Sequence, residues 1–297
     1  MDLSKILSFK AVADAGSISR ATGVVHLSQP ALSLQIQALE FELGVKLFER
    51  HNRGLILTEE GKLLRERAIL LSDWVSETNS LMSGLRSLAG GIRIGTYTTA
   101  SSYLLAPRLK NFFKEFPKIE LKYQYLPTLQ ILAGLRSLDL DCAIISEVPE
   151  VNGIRAIPFF RSELILVCSA KNKSIPTALT PVDLKDFPFL SYPLRLDHCY
   201  REVERKFGKY LTTAPVPIES ESFDTLKQSL LSDLGITFMP EYLVTSELKE
   251  KKIRRISLSS VRLPITFSLV LKKDKKLSPR LEAFKDYLMK TFEDPHV

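Results

Sequence analysis

The first forty residues repeat a short apolar stripe three times, with residues typical of helix ends between the stripes. A first helix is predicted from apolar residues at three-residue spacing, namely Leu3, Ile6, Phe9 and Val12. Gly16 can end this helix in the left-handed conformation, and Ser17 is placed to cap a second helix. The inward stripe of that second helix is formed by Ile18, Ala21 and Val25. Ser28 then caps a third helix, with Pro30 in its first turn, where the missing N–H costs little.

The third predicted helix has two different faces. Leu32, Ile36 and Leu39 recur at helical spacing and face the core. The opposite face carries small neutral side chains, namely Gln29, Pro30, Ser33 and Gln37. Glutamine can bond adenine at two points, serine can reach a base or a phosphate, and proline offers apolar contact to a thymine methyl, so this face suits a DNA major groove. A three-helix core with a solvated polar face fits the same periodicity, and periodicity alone leaves both interpretations open.

The next segment predicts a β-hairpin. Asn52-Arg53-Gly54 is a turn between two short extended apolar runs. Cationic side chains gather around it, namely Lys46, Arg50, His51 and Arg53. Beside a helix that enters a groove they would contact phosphates, although any one of them is also explained as ordinary surface charge.

A long helix follows the hairpin. Thr58 can cap it, and Glu59 and Glu60 suit the positive end of its dipole. Its apolar positions follow the 4-3 spacing of a coiled-coil seam: Leu64, Ala68, Leu71, Val75, Thr78, Met82 and Leu85. The alternative is a single amphipathic helix packed on its own domain.

After Leu88-Ala89-Gly90-Gly91 the pattern changes to strands that alternate with helices. Strands are predicted at 92–94, 119–125, 142–145, 164–168 and 266–271, and helices at 101–116, 128–138, 200–207, 223–232 and 280–289. This alternation favours a parallel-rich sheet covered on both faces. The expected fold class is therefore α + α/β.

Charge and composition bear on DNA binding, membrane association and metal or disulfide chemistry. The net charge is +7, but residues 1–90 hold ten Lys/Arg and ten Asp/Glu, so the whole positive excess lies in residues 91–297. The net charge of the chain therefore gives no evidence of DNA binding by the N-terminal part. No apolar run approaches the ~18 residues of a membrane span. The N-terminus is interrupted by Lys5, Lys10 and Asp14 and lacks a cleavage site, so we expect no signal peptide, no membrane association and a cytoplasmic protein. Three widely spaced cysteines and four scattered histidines suggest no disulfide framework, metal or cofactor.

The stretch from Ala11 to Gly61 resembles the winged helix-turn-helix of LysR-type transcriptional regulators nearly end to end. The matching elements include Leu27-Ser28-Gln29-Pro30-Ala31, Leu39-Glu40, Leu43-Gly44, Leu47-Phe48-x-Arg50 and Leu57-Thr58. The resemblance implies base contacts from Gln29, Pro30 and Ser33 and backbone contacts from Ser28, Arg50 and Arg53. Ser17, Leu34 and Gln37 complete the expected DNA-binding set. Leu34 and Gln37 stand where the family often has basic residues, so we expect this helix to read bases more than to hold phosphate.

The resemblance also implies the organisation of the whole chain. It places a winged helix-turn-helix at 1–58, a linker helix for dimerisation at 59–90 and a two-lobed effector domain at 91–297, with lobe I at about 91–161 and 266–297 and lobe II at about 162–265. The lobes resemble those of periplasmic solute-binding proteins. The expected partners are double-stranded DNA, a small-molecule effector and further copies of the chain in a homodimer or homotetramer.

An effector should lie in the cleft between the lobes. The residues expected to contact it lie at strand ends and helix starts, and they are Thr98, Thr99, Ser101, Thr128, Ser191, Phe223 and Thr225. Hydroxyls and free N–H groups at a helix N-terminus can hold an anion, so an anionic effector is our hypothesis, although such hydroxyls are often only helix caps.

Three other functions are each compatible with part of the sequence. Cys199, within His198-Cys199-Tyr200-Arg201, resembles the reactive thiol of the family's peroxide sensors, but Gly208 stands where the resolving cysteine would be, and an inert cysteine is the plainer interpretation. A solute-binding module for transport fits the two lobes but not residues 1–58. An enzyme would need a nucleophile elbow, a P-loop or a metal-ligand cluster, and the sequence contains none of these motifs.

Overall fold

The computed structural model describes residues 2–51, 54–82, 88–146, 148–193, 198–258, 261–274 and 276–293. The chain divides into two compact units, Met1–Ala89 and Gly90–Val297, each with its own core.

The N-terminal unit is a three-helix domain with a hairpin and a long helix. Its elements are α1 (Leu3–Ala15), α2 (Ile18–Val25), α3 (Gln29–Leu43), β1 (Phe48–His51), β2 (Gly54–Leu57) and α4 (Glu59–Met82). The predicted stripes meet in one core that includes Phe9, Ala21 and Leu32, whereas Leu3 remains 41% exposed. Gly16 ends α1 at φ +60°, in the left-handed conformation predicted for it. Asp2, which the sequence interpretation overlooked, accepts a hydrogen bond from the Ser4 N–H and caps α1.

The long helix α4 packs on the hairpin through a glycine. A Cβ on Gly61 would lie 2.2 Å from the Leu47 carbonyl oxygen, so only glycine permits this close approach. Thr58 caps α4 as predicted, because its Oγ1 accepts from the Gly61 N–H at 2.9 Å. The coiled-coil prediction needs correction at its start: Leu64 and Ala68 pack into the core of their own domain. Leu85 lies outside the described residues.

The C-terminal unit is built on a mixed sheet flanked by helices. Its strands are β3 (Ala89–Thr96), β4 (Lys118–Tyr125), β5 (Cys142–Ser146), β6 (Ile154–Ser169), β7 (Ala178–Leu179), β8 (Leu190–Ser191), β9 (Ile218–Glu219), β10 (Ile236–Pro240), β11 (Ile253–Arg255), β12 (Ser257–Leu258) and β13 (Pro264–Lys272). Its α-helices are α5 (Lys110–Glu115), α6 (Thr128–Arg136), α7 (His198–Leu211), α8 (Phe223–Leu231), α9 (Glu241–Lys249) and α10 (Pro279–Glu293). The order of the main sheet is β10-β6-β13-β5-β3-β4, with β11 also paired to β6.

Two long strands join the lobes. The first half of β6 pairs with β13, and its second half pairs with β10 and β11. We call the part around β3, β4, β5 and the first half of β6 lobe I, and the part around the second half of β6 and β10 lobe II. Both strands pass from one lobe to the other close to the point where Phe267 pairs with Phe160.

The prediction of a parallel-rich sheet is wrong. β3 and β5 are parallel, but β13 runs antiparallel to both β5 and β6, and β10 runs antiparallel to β6. The reason is topological: β13 is the strand by which the chain returns from lobe II, so it must run opposite to the strand that left.

The helix predicted at 101–116 is broken into three pieces. A π-helical segment (Ala100–Leu105) and a 3-10 segment (Ala106–Arg108) precede α5. Pro107 has no N–H to donate, so a regular α-helix cannot continue through it. No helix in the described ranges has the length and apolar character required to cross a membrane.

Candidate DNA interface and interlobe cleft

The N-terminal half of α3 presents the predicted recognition face to solvent. Gln29, Pro30 and Gln37 are exposed, and Ser33 is half-buried. The Ser28 hydroxyl accepts from the Ala31 N–H at 3.4 Å, which places Ser28 at the N-cap as predicted. On the opposite side Leu32, Ile36 and Leu39 are buried. The side chains that sequence analysis assigned to base contact therefore share one accessible face of one helix.

Four other residues of the predicted set have different surroundings or lie partly or wholly outside the described residues. Leu34 is 65% exposed, an unusual position for a large apolar side chain. Ser17 occupies the N-cap position of α2, but its side chain makes no capping hydrogen bond, which corrects the predicted cap. The backbone of Arg50 lies on β1 opposite Leu55, whereas its side chain and the whole of Arg53 lie outside the described residues.

A buried carboxylate fixes α3 to the hairpin. Oε1 of Glu40 accepts hydrogen bonds from the backbone N–H of Leu47 at 2.9 Å and of Phe48 at 3.3 Å. Its Oε2 accepts from the Lys46 ammonium at 2.7 Å. Burial of the Glu40 carboxyl opposes ionisation, but these hydrogen bonds outweigh it and lower the pKa of Glu40 below its ordinary value. The recognition helix and the hairpin are thus held in a defined relation by one side chain.

A cavity of about 500 Å³ lies between the two lobes. Its walls come from the turn after β3, the end of β4, the start of α6 and the start of α8. Such a volume is typical of a small-molecule site. The polar groups that line it are mostly hydroxyls, and two carboxylates, Glu221 and Asp224, stand on the lobe II side.

Four of the seven predicted effector contacts line this cavity: Thr98, Thr99, Thr128 and Phe223. Ser101 does not line it, because its side chain is buried: its hydroxyl donates to the Thr98 carbonyl at 2.9 Å and lies 3.2 Å from the Tyr125 hydroxyl, from which it can accept. Ser191 and Thr225 are also absent from the lining. The Thr225 N–H instead donates to the Ser222 hydroxyl that caps α8.

Four tyrosines and the Glu221 carboxylate are among the lining residues that sequence reasoning missed. Tyr97 and Thr128 share a hydrogen bond of 2.7 Å across lobe I. Tyr192 stacks on Phe223 with a centroid distance of 4.5 Å and an interplanar angle of 11°. Period-two patterning identifies the strand that ends at Tyr125, but no local signal in the sequence brings Tyr192 beside α8.

One tyrosine connects the lobes at the edge of the cavity. The Tyr103 hydroxyl, from lobe I, donates to Asp224 Oδ1 of lobe II at 2.5 Å and accepts from the Lys227 ammonium at 3.0 Å. Burial and the hydrogen bond to Asp224 raise the pKa of Tyr103, so the neutral phenol is kept as a donor. Lys227 also forms an ion pair with Glu247 at 3.2 Å. Tyr242 makes a second contact between the lobes, to the Thr99 hydroxyl at 3.4 Å.

The cysteines and metal-ligand types give no further site in the described part of the chain. Cys142 and Cys168 are buried, and burial raises the pKa of the Cys168 thiol. The side chain of Cys199 lies outside the described residues. The described residues contain no group of His, Cys, Asp and Glu that would hold a metal ion.

Two family models match the chain over complementary ranges. The LysR substrate binding domain matches residues 86–293. The bacterial regulatory helix-turn-helix protein of the lysR family matches residues 3–62.

Curated relatives and solved structures agree with these matches. The HTH-type transcriptional regulator YwqM of Bacillus subtilis is 28% identical over 99% of this chain and 100% of its own length. The hydrogen peroxide-inducible genes activator of Haemophilus influenzae is 30% identical over 89% of this chain and 88% of its own. A cysteine-to-aspartate variant of full-length OxyR from Pseudomonas aeruginosa superimposes with a TM-score of 0.71 at 23% identity, covering 99% of this chain and 95% of that chain. The family matches are to transcriptional regulators and not to enzymes. With a helix-turn-helix and an effector-binding domain that are both matched, this chain belongs to the LysR family of transcriptional regulators.

Proposed function

We propose that this regulator reads its operator with the exposed face of α3 and is controlled by a small polar effector in the interlobe cavity. The observation that carries the effector part is the convergence of Thr98, Thr99, Thr128 and Phe223, from three separate chain segments, on one cavity of about 500 Å³. Residues expected to bind one ligand must lie together in the folded chain, and these do.

The DNA part of the proposal rests on the accessible face of α3. Gln29, Pro30 and Ser33 would contact base edges, and Ser28 together with Arg50 and Arg53 of the hairpin would contact phosphates. Leu34 and Gln37 lie on the exposed side of the same helix and add no charge. Phosphate affinity must then come from the hairpin and from binding as a dimer.

Two copies are proposed to associate through α4. Its seam positions Leu71, Val75 and Thr78 are not part of the buried core of their own domain, and Trp74 beside them is 67% exposed. An apolar helix surface of this kind is typical of a coiled-coil partner interface.

The effector must bind two arrangements of the lobes with different affinity in order to regulate. Tyr103 and Tyr242 each form a hydrogen bond between the lobes, to Asp224 and to Thr99. A ligand that adds contacts to both walls would favour the closed arrangement, whereas one that displaces these bonds would favour an open one.

The cavity assignment is tested by screening small metabolites for thermal stabilisation of the full chain. Thr98→Val removes one exposed cavity hydroxyl and keeps the shape of the side chain. Thr213→Val, at an exposed position after α7, is the matched control. Binding should weaken in the first variant and remain in the second. Hits that bind both variants equally would place the effector elsewhere.

A thiol-based redox sensor is the second candidate, because a relative 30% identical to this chain is named as a hydrogen peroxide-inducible genes activator. Arg201 and His198 flank Cys199 and would favour its thiolate. Gly208 removes a resolving thiol at that position of α7, so the switch would have to act without that disulfide. Alkylation of Cys199 by iodoacetamide across pH decides: a half-point near the ordinary ~8.5 ends the redox candidate.

A further inference from the structure

The charge of the cavity lining differs from what an anionic effector requires. The described lining contains two carboxylates, Glu221 and Asp224, and no Lys or Arg. The sequence-based expectation of an anion therefore loses its electrostatic support.

Lys227, which donates to the hydroxyl of the lining residue Tyr103, is already engaged by other groups. The Lys227 ammonium is held by Glu247 at 3.2 Å and by the Leu243 carbonyl at 3.3 Å, and it lies 4.7 Å from the centre of the Tyr103 ring. Its side chain is only 11% exposed. Because Glu247 pairs with Lys227, the charge of Lys227 is not free to neutralise Asp224 fully. The N-terminus of α8 offers Asp224 a partial positive charge of about half a unit, which leaves the lining negative.

Aromatic side chains line the cavity together with these carboxylates. Tyr97, Tyr103, Tyr125, Tyr192 and Phe223 all line the cavity, and Tyr192 and Phe223 stack on each other at 4.5 Å. Carboxylates with aromatic faces are the combination that recognises ammonium groups, through charge-assisted hydrogen bonds and cation–π attraction. An anion would instead meet negative charge from both sources, since the face of a ring is itself negative.

Resting on the proposed effector cavity, we infer that the effector is a small organic cation, an amine or a quaternary ammonium compound. Its charged group pairs with the carboxylates of Glu221 and Asp224 beside the aromatic side chains of the lining, and the hydroxyls of Thr98, Thr99 and Thr128 accept from its polar groups. The binding energy is supplied by charge pairing in a cavity partly withdrawn from water, where it is screened less than at the surface.

The test is calorimetry on the full chain with probes matched in shape and different in charge. The first set is 1,4-diaminobutane, 1,4-butanediol and succinate, and the second is choline with its uncharged analogue 3,3-dimethylbutan-1-ol. We expect at least one cation to bind, and its neutral and anionic counterparts to bind about tenfold more weakly or not at all. Raising the salt concentration should weaken cation binding.

Variants then locate the charge. Asp224→Asn keeps an oxygen to accept from Tyr103, so the contact between the lobes is retained, and Glu221→Gln alters an exposed side chain. Each should weaken cation binding about tenfold, whereas Asp186→Asn, an exposed carboxylate outside the lining, should have no effect. Tighter binding of succinate than of diaminobutane, unchanged affinity in both cavity variants, or failure of every cation to bind at millimolar concentration overturns the inference. If a neutral or anionic ligand binds and is lost in Thr98→Val, the cavity remains the effector site and only its charge class is wrong.

Discussion

Glu40 offers the sharpest test of how the recognition helix is held against the hairpin. Glu40→Ala removes three hydrogen bonds and leaves the N–H groups of Leu47 and Phe48 without their acceptor. A buried donor left unsatisfied costs about 1–3 kcal/mol, so two of them predict a local loss of about 2–6 kcal/mol. Glu40→Gln should cost less. Its amide oxygen can replace Oε1 and accept both backbone hydrogen bonds, so only the hydrogen bond that Oε2 accepts from Lys46 is lost. Because the Lys46 side chain is 76% exposed, that loss is about 1 kcal/mol or less.

Hydrogen exchange of the segment around Leu47 and Phe48 measures this directly, since exchange reports local opening and does not require the two units to unfold together. Glu40→Ala should lower the protection of these amides by about thirtyfold or more, and Glu40→Gln by about fivefold or less. Equal protection in the two variants would refute the assignment of both backbone bonds to one oxygen of Glu40.

The pH dependence of the same bonds has a definite sign. The pKa of Glu40 is lowered in the folded chain, so its contribution to stability is fully present above the unfolded value of 4.5 and is lost as pH falls through the lower folded pKa. The protection difference between the wild-type chain and Glu40→Ala should shrink below about pH 4.5. A difference that grows as the pH falls would contradict the direction of this shift.

Two further predictions concern packing and assembly. Gly235→Ala should destabilise the C-terminal unit by about 1–3 kcal/mol in calorimetric unfolding, because its φ is +155° and a Cβ would lie 2.2 Å from the Pro188 carbonyl oxygen. The control is Gly208→Ala within α7, where the nearest atom to the added Cβ is 3.5 Å away; it should be neutral or stabilising by up to about 1 kcal/mol. Similar losses of stability in both variants would contradict the predicted clash at Gly235. Leu71→Lys should shift the chain towards monomer in light scattering, whereas Leu63→Lys, off the predicted seam, should not. If both variants dissociate the dimer, or if neither does, the seam of α4 is not the dimer surface.

The N-terminal unit was predicted well from sequence because its signals are local. Gly16, Ser28 and Thr58 mark helix ends whose geometry depends on a few neighbouring residues, and the structure contains the helix ends expected at each. The seam of α4 was only partly predictable: Leu64 and Ala68 have the spacing of a coiled coil, but spacing does not distinguish a partner helix from the domain's own core.

The effector cavity was only half predictable for the opposite reason. Thr98 and Thr128 follow strand ends, where a sheet of this class places its ligand sites, so position along the chain identified them. Tyr103 and Asp224 meet across 121 residues through a broken helix that periodicity read as continuous. The prediction of a parallel-rich sheet was wrong for a related reason. The alternation of helices and strands along the sequence does not reveal that β13 returns from the other lobe and therefore runs antiparallel to its neighbours.

DNA binding by Gln29 variants tests the central claim most directly. An operator is first selected from genomic fragments, and fluorescence anisotropy then compares it with random DNA at several salt concentrations. The account predicts that the wild-type chain prefers the operator by about a thousandfold or more. Gln29→Ala should lose about 5- to 150-fold on the operator and almost nothing on random DNA, with an unchanged salt slope. No preference for any genomic sequence, or equal losses on operator and random DNA, would contradict it.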